Sequence, residues 1–135
     1  MDEQVARALI AKHFANAGKD EVAVAEIYAE DAVLEFPQGR ERIRGKANIL
    51  AFRSAYPASL EFEMRRTIGS GNLWVNEYII RYDGRPSHAV GIMEFSNGLV
   101  IRETLYVGEP WEPPAWRAQW VEPMEPEAPF EGQRS

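Results

Sequence analysis

The sequence predicts an α+β fold in which helices pack on one face of a curved sheet. Three observations carry this prediction. Apolar residues follow helical spacing before Pro57, strict alternation begins at Leu60, and Asp83-Gly84 lies between two apolar stretches. Asp-Gly in that setting is the strongest short hairpin signal. Helices followed by an antiparallel meander are typical of the α+β class.

The first half is expected to form two helices, a strand, a polar loop and a third helix. Asp2 and Asp20 can cap the first two helices, and Gly18 suits the end of the first. The second helix is expected to bury Val22 and Ile27. The expected bounds are 3–17, 21–27 and 46–56 for the helices, 32–36 for the strand and 38–45 for the loop.

The second half is expected to form four antiparallel strands. Apolar residues at 60, 62 and 64 alternate with charged ones, as in a half-buried strand. The next three strands are expected at 73–82, 87–95 and 99–107, because turn residues separate these stretches. The element order is therefore α-α-β-α-β-β-β-β.

Composition limits the kind of site that the chain can hold. The 135 residues are 45% hydrophobic, which is enough for one core without a metal or disulfide staple. Cysteine is absent and His13 and His88 are the only histidines, which excludes thiolate sites and disfavours a zinc site. The net charge of −6 disfavours nucleic-acid binding, and no apolar run reaches the length of a membrane span. We expect a cytoplasmic protein with no metal, cofactor, nucleic acid or membrane partner.

Composition changes at Glu109, so the chain divides into a domain at 1–108 and a tail at 109–135. The tail holds six of the nine prolines and three of the four tryptophans. Proline at this density prevents continued sheet pairing. We expect the aromatic part of the tail to dock on the domain and its acidic end, 122–135, to be flexible.

Strand register brings two polar residues together on the inner face of the sheet. The Asp83-Gly84 turn pairs Tyr82 with Arg85 and therefore places Asn76 opposite Gly91. A three-residue loop at 96–98 would place Gly91 opposite Glu103. A two-residue Asn97-Gly98 turn is the alternative and would shift the register. We favour the three-residue loop because it unites the apolar residues on one face.

With that register, Asn76 and Glu103 flank a vacant floor at Gly91 on an otherwise apolar face. Apolar walls with a few polar groups are typical of a ligand pocket. A carboxyl group in such a place suits general acid/base catalysis. The alternatives are that Glu103 pairs with a nearby arginine, or that it faces solvent. Asn76 and Tyr78 would orient a ligand or stabilise a developing oxyanion.

Three segments resemble a SnoaL-like member of the nuclear transport factor 2-like superfamily. They are IYAEDAVLEFPQG at 27–39, IRGKANILAF at 43–52, and the strand pair GIMEF…GLVIRETLYV at 91–107. The resemblance implies a cone-shaped α+β barrel, with three N-terminal helices packed on a curved, mostly antiparallel sheet around an apolar cavity. It implies a small apolar organic ligand and no cofactor.

The resemblance also bears on catalytic residues. The steroid isomerase pattern is absent, since its base falls on Phe36, its oxyanion-hole aspartate on Gly91 and its tyrosine near Ala11 to His13. The acid on the last strand of polyketide cyclases and related enzymes falls on Glu103. The expected activity is therefore isomerisation or cyclisation beside a carbonyl, with a non-catalytic ligand-binding or dimerisation module as the alternative.

The remaining site candidates are a histidine and a set of wall residues. His13 would either transfer protons or lie buried against a backbone carbonyl. The apolar outer face of the sheet favours a homodimer. The expected ligand-contacting residues are Phe36, Phe52, Trp74, Gly91, Met93, Ile101 and Leu105, with packing in the core as the alternative role for the large ones.

Overall fold

The computed structural model describes residues 1–124 and confirms the predicted α+β order, with one added strand. The helices are α1 (Glu3–Asn16), α2 (Glu21–Ala25) and α3 (Lys46–Ala55). The strands are β1 (Tyr28–Phe36), β2 (Glu41–Arg44), β3 (Leu60–Ser70), β4 (Leu73–Tyr82), β5 (Arg85–Ser96) and β6 (Leu99–Gly108). Short 3-10 turns cover Pro37–Gly39 and Ala115–Trp120.

The first two helices begin at the aspartates that the sequence indicates. Asp2 accepts a hydrogen bond from the backbone N–H of Val5 at 3.0 Å, and Asp20 accepts one from Ala23 at 3.1 Å. The prediction for α2 is wrong in two respects. The helix ends at Ala25, before Ile27, and Val22 is 65% exposed, because the helix turns Val24 and Ala25 towards the core instead.

All six strands form one curled, open sheet in the order β2-β1-β6-β5-β4-β3. Every neighbouring pair is antiparallel except β1 and β6, which run parallel. The helices and the concave face of this sheet enclose the core, as in the predicted cone. The prediction of a homodimer concerns a second copy and stays a prediction.

The added strand lies in the segment that was expected to be a polar loop. Arg40 adopts a left-handed conformation (φ 57°) after the Pro37–Gly39 turn and reverses the chain. The following residues then pair with the end of β1, from Phe36↔Glu41 to Val33↔Arg44. Charged side chains are common on such short edge strands, where they oppose pairing with another chain.

The Asp83-Gly84 hairpin is confirmed, and the register expected for the next hairpin is wrong. Tyr82 pairs with Arg85 and Asn76 with Gly91, as predicted. Asn97 and Gly98 both have positive φ, 52° and 80°, and form the two-residue turn that we held as the alternative.

A β-bulge in β6 after this turn changes which residues of the strand face inward. Val100 pairs with Phe95, but Arg102 pairs with Glu94, so Ile101 is the extra residue. Ile101 is 41% exposed and does not reach the cavity as expected. Beyond the bulge Glu103 faces inward opposite Met93 rather than opposite Gly91.

The described part of the tail, 109–124, is mostly exposed. Trp111, Trp116 and Trp120 are 71–75% exposed, so these three rings are not buried against the domain as expected. The expectation of a flexible end falls mainly on 125–135, outside the described residues. Within residues 1–124, no helix is long and apolar enough to span a bilayer.

Candidate active site

A buried hydrogen-bonded network surrounds Glu103. The Glu103 side chain is 1% exposed, and its Oε1 accepts a short hydrogen bond from the Tyr28 hydroxyl. Arg53 Nη2 donates to the Tyr28 hydroxyl oxygen at 2.7 Å and lies 3.4 Å from the same Glu103 oxygen. One carboxylate oxygen is therefore held by two donors. The other, Oε2, accepts no hydrogen bond among the described residues.

Three separate elements supply this network. Tyr28 is the first residue of β1 and pairs with Val100 across the parallel β1–β6 ladder. Arg53 lies on α3 one turn beyond the fully buried Ile49, so both side chains point towards the core. Glu103 comes from β6. The parallel pairing of the first and last strands thus brings Tyr28 and Glu103 together across 75 residues of chain.

The network holds a neutral phenol and a cation. Burial raises the pKa of the Tyr28 hydroxyl well above its usual range, although Arg53 opposes this effect. Burial lowers the pKa of Arg53, but Tyr28 and Glu103 more than offset that effect, and the net direction is upward. Tyr28 therefore donates as a neutral hydroxyl, and Arg53 supplies a positive charge beside Glu103.

The floor at Gly91 is not vacant. A Cβ atom built on Gly91 would lie 3.4 Å from both Glu103 Oε2 and the Tyr78 hydroxyl. The expectation of an empty space for ligand over Gly91 is therefore wrong, because these two side chains lean over the glycine from either side. Tyr78 is 3% exposed, and burial followed by the charge of Glu103 raises the pKa of its hydroxyl.

A cavity of about 230 Å³ opens next to this network. Arg53 and Tyr78 form the polar end beside the network, and Glu103 itself does not line the cavity. Glu21 of α2 also contributes to the lining. The remaining walls are mostly apolar. Six aromatic residues line the cavity, and Tyr78 is one of them: Phe36, Phe52, Tyr56, Phe62, Tyr78 and Tyr82. Apolar groups with a few fixed polar ones are the composition of a small-molecule site.

A larger concavity lies elsewhere and has different character. This groove of about 930 Å³ runs between α1 and β3, along Ile10, Phe14 and Met64. It is open to solvent and contains none of the buried polar network. We place the site at the smaller cavity, because there mostly apolar walls meet the Arg53 guanidinium and the Tyr78 phenol beside Glu103.

The structure brings only part of the expected set to this cavity. Phe36, Phe52, Tyr78 and Leu105 line it. Trp74 and Met93 are fully buried core residues outside the lining.

Asn76 is buried but does not face the cavity. Its Oδ1 accepts a hydrogen bond from the Thr67 hydroxyl at 2.8 Å, and it does not line the cavity. Its Nδ2 is buried without a partner among the described residues. Arg53 occupies the polar end of the cavity that Asn76 was expected to provide.

His13 lies behind Tyr28, away from the cavity lining. Its Nδ1 is 3.0 Å from the backbone oxygen of Val24, and its ring meets the Tyr28 ring edge-on at 5.8 Å. Burial, reinforced by the charge of Arg53, lowers the pKa of His13 to about 3. The imidazole is therefore neutral, and its Nδ1–H donates to Val24. Within residues 1–124, no three histidine or carboxylate side chains converge as a metal site requires.

Sequence reasoning missed Tyr28 and Arg53. A signal existed for each. Arg53 stands four residues after Ile49 and thus on the buried face of its helix. Tyr28 has the same strand parity as Ala32 and Leu34, both inward-facing, but the strand was expected to begin only at Ala32.

The comparisons with known proteins agree with this fold. The family model described as a SnoaL-like domain matches residues 6–103. The chain belongs to the SnoaL-like family. A search of curated proteins found no match to the chain.

Solved structures of the same fold include two with substantial sequence identity. A nuclear transport factor 2-like protein of unknown function from Burkholderia xenovorans is 45% identical, with a TM-score of 0.82, over 91% of this chain and 98% of that one. A proposed ketosteroid isomerase from Kribbella flavida is 30% identical, with a TM-score of 0.84, over 94% and 95%. A proposed polyketide cyclase from Sinorhizobium meliloti, 22% identical with a TM-score of 0.64 over 73% and 94%, shares the fold.

Proposed function

We propose that the chain binds a small, mostly apolar carbonyl compound and moves a proton beside its carbonyl group. One observation carries the proposal. Glu103 is held through Oε1, while its Oε2 accepts no hydrogen bond among the described residues and lies, like the hydroxyl of the cavity-lining Tyr78, 3.4 Å from the Cβ position of Gly91. A fixed carboxylate with one free oxygen is suited to exchange a proton.

Arg53 would stabilise the substrate oxygen. Its guanidinium lines the cavity, and its Nε is buried without a partner among the described residues. When a proton leaves the carbon beside the carbonyl, negative charge builds on the carbonyl oxygen. Glu103 balances the formal charge of Arg53, so the stabilisation would come from guanidinium N–H donors that are fixed in an apolar cavity and aimed at the developing charge. This assigns to Arg53 the stabilising role that the sequence suggested for Asn76.

Tyr78 would connect the substrate to Glu103. Glu103 does not line the cavity, so a substrate proton would reach its Oε2 through Tyr78, whose hydroxyl shares with Oε2 the space over Gly91. This relay requires the Tyr78 hydroxyl to donate to Oε2 during turnover; Tyr78 would then take the substrate proton as its own hydroxyl proton passes to Oε2. The reverse transfer to another carbon completes an isomerisation, and capture of the enolate by a second carbonyl completes a cyclisation. Tyr28 stays neutral throughout and holds Oε1.

A non-catalytic ligand-binding module is the second candidate. It is favoured by the ion pair itself, because Arg53 satisfies the buried carboxylate without any substrate. In that case the network around Glu103 stabilises the fold, and the cavity binds a ligand without reacting with it.

Hydrogen exchange distinguishes these candidates. The protein is incubated in D2O with cyclohexanone, 2-octanone or acetophenone, and loss of the proton signal beside the carbonyl is followed by NMR. We expect Glu103→Gln and Tyr78→Phe each to slow exchange by about 100-fold or more. Glu94→Gln, which changes a carboxylate on the outer face of β5, is the matched control and should exchange normally. Binding without exchange, or exchange unchanged in Glu103→Gln, would establish the binding module instead.

A further inference from the structure

Aromatic side chains make up nearly half of the residues that line this small cavity. Six rings from β1, the region of α3, β3 and β4 face it. Four of them form a continuous series. The ring centroids are 5.7 Å apart for Phe36 and Phe52, 6.2 Å for Phe52 and Tyr56, and 5.6 Å for Tyr56 and Tyr82. We call these four residues the aromatic belt.

The belt favours a flat ligand. Aromatic rings pack edge-on or offset with centroids about 4.5–7 Å apart, and each such pair adds to affinity beyond the area it buries. A flexible chain would contact the same surface but would lose rotational freedom on binding.

The volume of the cavity matches one ring. An apolar cavity of about 150 Å³ holds benzene. The present cavity of about 230 Å³ therefore accommodates one six-membered ring with a short substituent. Most of a four-ring skeleton would lie outside it.

The polar end selects a neutral acceptor. Arg53 offers N–H donors at this end, so the ligand atom there is an oxygen that accepts hydrogen bonds. The charge of Arg53 is already balanced by Glu103 at 3.4 Å, so a ligand carboxylate would lose its hydration without gaining an unpaired cation. An ammonium group at this end would meet the Arg53 guanidinium, since Glu103 does not line the cavity. The Glu21 carboxylate lines the cavity as well, and its Oε1 accepts a hydrogen bond from the Gly18 N–H at 2.9 Å.

We propose that the substrate class is a neutral, single-ring aromatic or similarly flat cyclic ketone, with its ring in the aromatic belt and its oxygen at Arg53. This inference rests on the proposed function for the location of the site. It adds the shape, size and charge of the molecule that enters.

Affinity measurements on matched probes test the proposal. Binding to the full-length protein is followed by NMR chemical-shift titration with acetophenone, 2-octanone, benzoate and phenyltrimethylammonium. We expect acetophenone to bind about five-fold or more tightly than 2-octanone, and about ten-fold or more tightly than either ion. Equal binding of 2-octanone, or tighter binding of either ion, would overturn the assignment.

Substitutions in the belt provide the second arm. Phe52→Leu and Phe36→Leu should each weaken acetophenone binding about three- to ten-fold and change 2-octanone binding less than two-fold. Tyr106→Leu, an exposed ring on β6, is the control and should change neither. Equal loss for both ketones would show that the rings act only as apolar bulk.

The two proposals fail separately. If 2-octanone binds as well as acetophenone but its protons exchange in a Glu103-dependent manner, the substrate class is wrong and the proton-transfer function stands. If acetophenone binds preferentially and no exchange occurs, the ligand class stands and the catalytic function is wrong.

Discussion

Lowering the pH should destabilise the protein through His13. The folded protein keeps this imidazole neutral, because burial and the charge of Arg53 lower its pKa from 6.5 to about 3. The unfolded chain binds a proton at the ordinary pKa. Between these two values the unfolded state therefore binds more protons, and acid favours unfolding. The stability is fully present above about pH 6.5 and declines as the pH falls towards about 3.

The pKa difference gives the size of this effect. Each pH unit below 6.5 costs about 1.4 kcal/mol while the folded imidazole stays neutral. At pH 5, where the unfolded imidazole is mostly charged, the expected loss relative to pH 8 is about 2 kcal/mol. That is a large share of the stability of an ordinary domain.

Urea denaturation followed by circular dichroism at pH 8 and pH 5 measures this loss. Other groups also titrate, so the informative quantity is the difference between the wild type and His13→Asn, which keeps a donor near Val24. We expect the variant to be less stable at pH 8 and the gap to shrink by about 2 kcal/mol at pH 5. His88→Asn, on an exposed histidine, should leave the wild-type pH dependence unchanged. A parallel decline in wild type and His13→Asn would refute the reasoning, as would an NMR titration of His13 near 6.5.

Further substitutions test the Arg53–Glu103 pair, the packing over Gly91 and the turn between β5 and β6. Arg53→Met should lower the free energy of unfolding by about 3–5 kcal/mol, because it leaves the Glu103 carboxylate buried without its cation. Adding Glu103→Gln should restore part of that loss. Strictly additive losses for the two substitutions in urea denaturation would argue against coupling between the residues. Gly91→Ala should change the free energy of unfolding by less than about 1 kcal/mol, since its Cβ would lie 3.4 Å from Glu103 and Tyr78. The bulkier Gly91→Val should lower it by about 1–3 kcal/mol. Equal thermal stability of the two variants would contradict this prediction. Asn97→Ala should cost about 1 kcal/mol because φ is 52° there, and Asn97→Gly should be neutral in the same thermal assay.

Local signals predicted most of the fold. Asp2 and Asp20 cap their helices as expected, and Asp83-Gly84 sets the β4–β5 register residue by residue. These features depend on a few neighbouring residues, so a single sequence carries them. Short edge strand β2 was missed, because its pairing depends on the left-handed turn at Arg40 and not on any alternation of its own.

The inward position of Glu103 was predicted although two features of the β5–β6 hairpin, its turn length and its bulge, were not. The expected three-residue loop would have turned Glu103 inward, but the hairpin has a two-residue turn, and the bulge at Ile101 restores the inward direction. A bulge depends on packing in three dimensions and leaves no clear trace in the alternation. Inward placement of Glu103 was therefore correct, while its partner across β5 was not.

The partners of Glu103 required tertiary information. Tyr28 contacts Glu103 because β1 and β6 pair in parallel, and the sequence of neither strand alone predicts that pairing. Arg53 arrives from a helix whose position over the sheet follows from the whole fold. The arginine pairing that we held as an alternative is the one observed.

The parallel ladder also dictates an order of events during synthesis. Tyr28 and Arg53 leave the ribosome well before β6, yet the carboxylate that pairs with Arg53 and accepts from Tyr28 arrives only with that strand. Until then Glu103 is not available to balance the charge of Arg53. Contacts so distant along the chain tend to form slowly. The last strand to emerge is thus the one that locks the interior, and a polypeptide cut short before it should be a substrate for chaperones and proteases rather than a partly working protein.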